Sequence, residues 1–204
     1  METKNKHIPN IDYNITNINN VNPYDKILPN LYLGSSRALE LHNTPNNIYF
    51  DMIVNLIKPT HILDNNIPKC KTFIRIPIND DSDDNDKLLS EIHETCVLEK
   101  IHTSLMKEEN VLIHCFAGMS RSCTLVACYL IKYCNMDITS SIEYIKNKRP
   151  IAFFGGVHFM KTLNNITRLR GLQPLELPCN PVSFSFFKGD RWAEALDTEA
   201  LVTS

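Results

Sequence analysis

A cysteine and an arginine six residues apart dominate the segment Val-Leu-Ile-His-Cys-Phe-Ala-Gly-Met-Ser-Arg-Ser, residues 111–122. Cys115 follows a short apolar run typical of a buried strand, and Arg121 opens a longer apolar run typical of a buried helix. The loop between them therefore ends at a helix N-terminus, where free backbone N–H groups attract anions. A thiol in such a loop ionises easily and becomes a nucleophile. The order of residue types predicts a loop that binds phosphate and attacks it.

Each side chain of this loop suits a separate part of that chemistry. The residues expected to surround the phosphate are Phe116, Ala117, Gly118, Met119, Ser120 and Arg121. Gly118 suits a position of positive φ or close approach, and the Arg121 guanidinium fits two phosphate oxygens at once. We expect Cys115 to attack phosphorus in line and Ser122 to donate to the sulfur when it leaves. His114 is expected to point back, orient the loop and favour the thiolate.

Other loops built around these residue types fit less well. A P-loop NTPase would end its loop in Gly-Lys-Ser/Thr, which is missing here. A thioredoxin-type redox site needs Cys-x-x-Cys, but the next cysteine after Cys115 is Cys123. A lone cysteine after a strand is usually a small buried hydrophobe. The combination of His, Cys, Gly, Ser, Arg and Ser at these spacings favours the phosphate-binding loop.

The segment resembles the cysteine loop of the protein tyrosine phosphatase superfamily, and the surrounding chain resembles its compact dual-specificity branch. The flanking segments that carry the likeness begin at Ile27 (Ile-Leu-Pro-Asn-Leu-Tyr-Leu-Gly-Ser-Ser-Arg-Ala), Met52 (Met-Ile-Val-Asn-Leu-Ile), Phe73 (Phe-Ile-Arg-Ile-Pro-Ile-Asn-Asp) and Ser141 (Ser-Ile-Glu-Tyr-Ile-Lys-Asn-Lys-Arg-Pro). The likeness covers roughly residues 27–170. It implies hydrolysis of phosphotyrosine, phosphoserine and phosphothreonine on proteins through a phosphocysteine intermediate, without a metal or other cofactor.

The resemblance also implies an aspartate that protonates the leaving oxygen, and this residue maps onto Asp80. An alkoxide or phenoxide leaves poorly unless it is protonated, so the chemistry asks for such an acid independently. Asp81 is the alternative. The remaining acidic residues of this run are interpreted as a solvated loop and helix cap; they are Asp83, Asp84 and Asp86, the last as the cap. The run does not match an EF-hand, because its sixth position is not Gly and its twelfth is not Glu.

One segment departs from the family pattern. After Arg149-Pro150 the chain reads Ile-Ala-Phe-Phe-Gly-Gly-Val-His across residues 151–158. This stretch is about one residue longer than the family's and lacks its Pro-Asn pair. The family loop supports the cysteine loop from behind, so whether residues 151–158 do so as rigidly, and whether activity is lower, stays open at this point.

The hydrophobic pattern predicts an α/β fold with a central, mostly parallel sheet of four to five strands flanked by helices. The cysteine loop joins a core strand to the central helix. Strands are expected near residues 27–33, 52–57, 72–76 and 111–114, and helices over 89–105, 121–134, 138–149 and 159–171. The domains expected are an Asn-rich flexible arm (1–24), the catalytic domain (25–171) and a C-terminal tail of unknown role (172–204).

The composition of the chain limits the cellular compartment and the partners that can be expected. The chain has 204 residues, 43% hydrophobic residues and a formal net charge of −2, which argues against non-specific nucleic-acid binding. No apolar stretch is long enough to span a membrane, and seven cysteines without framework spacing suggest a reducing compartment. We expect a cytoplasmic or nuclear enzyme whose partners are phosphorylated proteins; its oligomeric state is not predicted. Two alternatives remain: a non-catalytic phosphoprotein-binding module, and a phosphatase for a lipid or an RNA 5′ end.

Overall fold

The computed structural model describes residues 21–42, 44, 47–59 and 68–171. The strands are β1 (Tyr24–Leu28), β2 (Leu31–Gly34), β3 (Met52–Asn55), β4 (Thr72–Arg75) and β5 (Val111–His114). The helices are α1 (Ala38–Leu41), α2 (Asn85–Thr95), α3 (Val97–Met106), α4 (Arg121–Tyr133), α5 (Ile138–Lys148) and α6 (Met160–Gly171), and a short 3₁₀ helix (Ser82–Asp84) precedes α2. Residues 1–20 of the predicted arm (1–24) and the whole predicted tail (172–204) lie outside the described residues, so the division into domains stays a prediction.

The five strands form one sheet in the order β1-β2-β5-β3-β4. Only the β1–β2 pair is antiparallel; β2, β5, β3 and β4 run parallel to their neighbours. This confirms the predicted α/β class and the mostly parallel sheet. Since parallel strands end at the same edge, the residues that follow them are brought together there.

The central helix is α4, as predicted from its nearly continuous apolar sequence. Ten of its thirteen residues are buried, and it packs against α5 and α6 within the larger hydrophobic core. A helix buried on nearly all sides is held rigidly by its surroundings. Its N-terminus, which receives the cysteine loop, is therefore a fixed point of the structure.

Three local predictions are wrong. The strand expected near residues 27–33 is a hairpin, because Asn30 adopts φ 61°, a left-handed conformation that asparagine tolerates. The helix expected over 89–105 is two helices, because Cys96 adopts φ 49° between them. Asp86 does not cap α2, which begins one residue earlier; its carboxylate instead pairs with Lys161 at 2.7 Å. The one-turn helix α1 was not predicted.

Candidate active site

The candidate site lies at the carboxyl edge of the parallel strands. Gly34, Asn55 and His114 are the last residues of β2, β3 and β5, and the sheet register places them side by side. Cys115 follows β5 directly, and its N–H donates to the Gly34 carbonyl at 3.4 Å. The predicted nucleophile therefore sits where three strand ends converge.

The Cys115 sulfur is buried and accepts two hydrogen bonds. The Gly118 N–H and the Ser122 hydroxyl both donate to Sγ at 3.2 Å. Both donors stabilise a negative charge on sulfur, and Ser122 can go on donating when the sulfur acts as a leaving group. The structure thus brings Cys115 and Ser122 together as the sequence predicted.

Every carbonyl of the cysteine loop from Phe116 to Ser120 accepts a hydrogen bond from outside the loop. The donors are the Ser36 N–H and hydroxyl to Phe116 (3.1 and 3.2 Å), Arg149 Nη2 to Ala117 (3.4 Å), Arg149 Nε to Gly118 (2.8 Å), the Phe153 N–H to Met119 (2.6 Å) and the Thr124 N–H to Ser120 (2.8 Å). Within the described chain, the N–H groups of Phe116, Ala117, Met119 and Ser120 find no acceptor. A loop with outward carbonyls and unpartnered N–H groups forms an anion-binding nest.

Gly118 is required by two independent constraints. Its φ of +69° lies in the left-handed region, and a Cβ there would lie 2.6 Å from the Gly34 carbonyl oxygen. Neither constraint can be relieved by a flexible neighbour, because the contact is with backbone. This confirms the positive φ expected from the sequence.

Arg121 is anchored on one side and open on the other. Its Nη1 donates to the carbonyls of Leu56 and Ile78, which follow β3 and β4, at 3.2 and 3.3 Å. Within the described residues its buried Nε has no hydrogen-bond partner. The acidic group that pairs with Nε is Asp80, whose Oδ2 lies 3.5 Å away. The guanidinium is therefore fixed in place with an N–H still available for an anion.

The two candidate acids have separate surroundings. The Asp80 carboxylate is partly exposed and lies between Arg121 and His158, whose Nδ1 is 3.3 Å from Oδ1. Asp81 instead caps the 3₁₀ helix, because its Oδ1 accepts the Asp83 N–H at 3.1 Å. The geometry therefore favours Asp80 as the acid and gives Asp81 a structural role.

His114 is fully buried, and neither ring nitrogen has a hydrogen-bond partner within the described chain. Burial lowers the pKa of His114 from 6.5 to about 4, an effect only partly opposed by the backbone of Cys115. The imidazole is therefore neutral near pH 7. Any support that His114 gives to the thiolate comes from packing rather than from positive charge.

The most important residue that the sequence reasoning did not assign to the site is Arg149. It is fully buried, and besides holding two loop carbonyls it pairs with Asp25 at 2.5 Å and donates to the Asn22 carbonyl at 3.1 Å. A charged residue at the end of an amphipathic helix gives no sign in the sequence that it is buried. The Arg-Pro match to the family pattern was the one signal that pointed to this position.

The unusual segment 151–158 does reach the cysteine loop. The Phe153 N–H donates to the Met119 carbonyl, and Ala152 and Phe153 are buried. Phe153 adopts φ 56°, and Gly155 and Gly156 also have positive φ. The segment therefore supports the loop from behind by a route that does not need the family's asparagine.

The described residues offer neither a membrane-spanning helix nor a metal-binding cluster. No helix there is both long and apolar enough to cross a bilayer. No group of three or more His, Cys, Asp or Glu side chains among them could hold a metal ion. Burial raises the pKa of Cys123 strongly and that of Cys128 to about 12, so neither thiol competes with Cys115 as a nucleophile.

Comparisons with known proteins identify the family and the fold of the chain. The family model described as the dual specificity phosphatase catalytic domain matches residues 31–168. The chain is 34% identical over 143 residues to the 123R protein of Invertebrate iridescent virus 6, which is named provisionally as a tyrosine phosphatase; the match covers 70% of this chain and 91% of that protein. It is 29% identical over 179 residues to human dual specificity protein phosphatase 16, covering 80% of this chain but only 25% of that protein.

Solved structures show the same fold. Human DUSP28 matches with a TM-score of 0.59 and 21% identity, over 72% of this chain and 93% of that chain. The human tyrosine phosphatase-like serine/threonine/tyrosine-interacting protein matches with a TM-score of 0.54 and 19% identity, over 72% of this chain and 96% of that chain. At these identities the likeness is one of fold alone.

Proposed function

Because the chain belongs to the dual specificity phosphatase family, we propose that it removes phosphate from tyrosine, serine and threonine side chains of proteins through a phosphocysteine intermediate. The observation that carries this proposal is the loop 115–121, which combines outward carbonyls, a doubly hydrogen-bonded sulfur and an anchored guanidinium. Such a set of preorganised donors stabilises the charge that develops during phosphoryl transfer.

In the first step the Cys115 thiolate attacks phosphorus while the bond to the leaving oxygen breaks. The loop N–H groups and Arg121 hold the equatorial oxygens, and Asp80 gives its proton to the leaving oxygen. In the second step water attacks phosphocysteine, and the Asp80 carboxylate takes a proton from that water. The sulfur leaves as a thiolate that again accepts hydrogen bonds from Gly118 and Ser122. No step needs a metal, since the donors neutralise the phosphate charge.

The rim of the loop supports a protein substrate. Phe116 is 65% exposed, and the other variable positions of the loop are Ala117 and Met119, so the loop itself carries no lysine to pair with a second phosphate group. An apolar rim matches the side chains and backbone of a phosphopeptide better than a highly charged inositol lipid or an RNA 5′ triphosphate. Because the nucleophile must be a free thiol, we likewise propose a reducing location, the cytoplasm or the nucleus.

The test compares turnover of an aryl phosphate and of phosphotyrosine, phosphoserine and phosphothreonine peptides by wild type and by Cys115→Ser. The substitution should lower turnover at least about a thousandfold, because the hydroxyl is a far weaker nucleophile. Cys134→Ser is the matched control, since this partly buried thiol lies at the far end of α4 and should leave turnover unchanged. Phosphopeptide binding without turnover would show a binding module instead, and faster turnover of lipid or RNA phosphates would redirect the substrate assignment.

A further inference from the structure

The carboxylate of Asp80 is held from two sides. Its Oδ2 lies 3.5 Å from Arg121 Nε, and its Oδ1 lies 3.3 Å from His158 Nδ1. In the described part of the chain, Arg121 and His158 are the side chains that form an ion pair or hydrogen bond with this carboxylate. When phosphate occupies the loop, the Arg121 guanidinium binds the phosphate oxygens, and His158 is then the side chain that continues to hold Asp80.

His158 is itself held through its backbone. Its carbonyl accepts a hydrogen bond from the amide of Asn85 at 3.0 Å, and the same amide donates to the Ser82 carbonyl at 2.6 Å. The Asn85 side chain is buried, and its Oδ1 accepts the Thr162 N–H at 3.0 Å. The position of His158 is therefore fixed against the 3₁₀ helix that follows Asp80 and against α6, whereas its ring stays partly exposed beside the acid.

We propose that His158 is a positioning residue for the general acid. Its Nδ1–H donates to Oδ1 of Asp80, which leaves Oδ2 on the Arg121 side to carry the proton for the leaving oxygen. As the S–P bond forms and the P–O bond breaks, the proton on Oδ2 passes to the leaving oxygen. The same hydrogen bond then holds the carboxylate that receives a proton from the attacking water. This inference rests on the proposed phosphatase activity of the same site.

The arrangement belongs to the part of the chain that departs from the family pattern. His158 ends the segment 151–158, whose other end reaches the cysteine loop through the Phe153 N–H. The segment thus contacts both the phosphate-binding loop and the acid. His158, at the end of this segment, supplies a side-chain hydrogen-bond donor to the acid, although the segment lacks the family's asparagine.

The test measures kcat and KM for phosphate esters of graded leaving-group acidity with wild type, His158→Ala and His158→Asn. For a phosphoserine peptide and for phenyl phosphate, His158→Ala should lower kcat about tenfold with KM within about twofold, because the acid is misplaced while the phosphate pocket is intact. For an ester whose leaving group is acidic enough to depart unprotonated, kcat should stay near the wild-type value. His158→Asn should recover most of the loss, since its amide nitrogen lies close to the position of Nδ1.

A double substitution separates positioning from general packing. In an Asp80→Asn background, His158→Ala should cause no further loss of kcat for poor leaving groups, because the group that it positions no longer transfers a proton. Equal loss for all leaving groups, failure of His158→Asn to recover activity, or an additive loss in the Asp80→Asn background would each overturn the inference. If turnover depends on Cys115 and Asp80 but not on His158, the positioning role alone is overturned. If turnover is unaffected by Cys115→Ser, both the positioning role and the proposed function are overturned.

Discussion

The buried imidazole of His114 should make the stability of the protein depend on pH. Its ring is fully enclosed at the end of β5, without a hydrogen-bond partner in the described structure, and burial lowers its pKa to about 4. In the unfolded chain the ring is solvated and titrates near 6.5. Replacing it with leucine, which is similar in volume and cannot take up a proton, removes this difference between the folded and unfolded states.

The sign and size follow from proton linkage. Between pH 6.5 and about pH 4 the unfolded chain binds a proton at this site that the folded protein excludes, so the free energy of unfolding rises with pH in that window. The contribution is fully present above pH 6.5 and is lost as the pH falls toward 4. With these two pKa values the loss between pH 8 and pH 5 is about 2 kcal/mol, out of about 3 kcal/mol for the complete titration.

Urea denaturation at pH 8 and pH 5 measures this quantity for wild type and for His114→Leu. Other groups titrate in both proteins, so the prediction concerns the difference: wild type should lose about 2 kcal/mol more than the variant on acidification. Leu112→Val, a buried change in the same strand, is the control and should destabilise equally at both pH values. Parallel pH dependences of wild type and His114→Leu would show that the imidazole is solvated or hydrogen-bonded when folded, and the reasoning from burial would fail.

Four further substitutions test the loop and its surroundings. Gly118→Ala should cost about 2 kcal/mol or more in urea denaturation and greatly reduce kcat, because the positive φ and the 2.6 Å approach to the Gly34 carbonyl exclude a Cβ; wild-type activity would refute the loop geometry. Arg149→Met should destabilise by about 3 kcal/mol, since it breaks a buried ion pair and releases two loop carbonyls; a loss below about 1 kcal/mol would contradict this. Asp81→Ala should lower the free energy of unfolding by about 1 kcal/mol because the cap is lost, while the leaving-group dependence of kcat stays as in wild type. Asp80→Asn should instead lower kcat about a hundredfold for substrates with poor leaving groups.

The elements that were predicted correctly are those that a pattern in consecutive residues specifies. The apolar run of α4 and the strand–loop–helix around Cys115 are visible because burial imposes a period on consecutive residues. The hairpin at Asn30 was missed because the apolar residues on both sides of Pro29-Asn30 were read as one strand, although such a pair is typical of a turn; Asn30 adopts φ 61° there. The break at Cys96 was missed because a single left-handed residue leaves the helical spacing on both sides intact.

For the site too, the sequence predicted the local contacts and missed the long-range ones. The sequence placed Cys115 and Arg121 in one loop, because the residues proposed to touch the phosphate are consecutive. It did not assign Arg149 or Asn85 to the site, because their contacts join residues more than 30 positions apart along the chain. Such long-range contacts follow from the packing of whole elements and leave no spacing in the sequence that could be recognised.

The long-range contacts nevertheless decide whether the loop can work. The five consecutive carbonyls of the loop can all point outward only if hydrogen-bond donors lie on the outer side of the loop. Each unpaired carbonyl would cost about 1 kcal/mol or more. Those donors come from the turn after β2, from α4, from the end of α5 and from the segment 151–158. Because four separate elements hold the carbonyls outward, the proposed phosphate binding need not reorganise the loop. The donors proposed to stabilise the transition state are therefore already in position in the folded protein. Arg149→Met should accordingly lower both kcat and stability, although Arg149 is not proposed to contact the substrate.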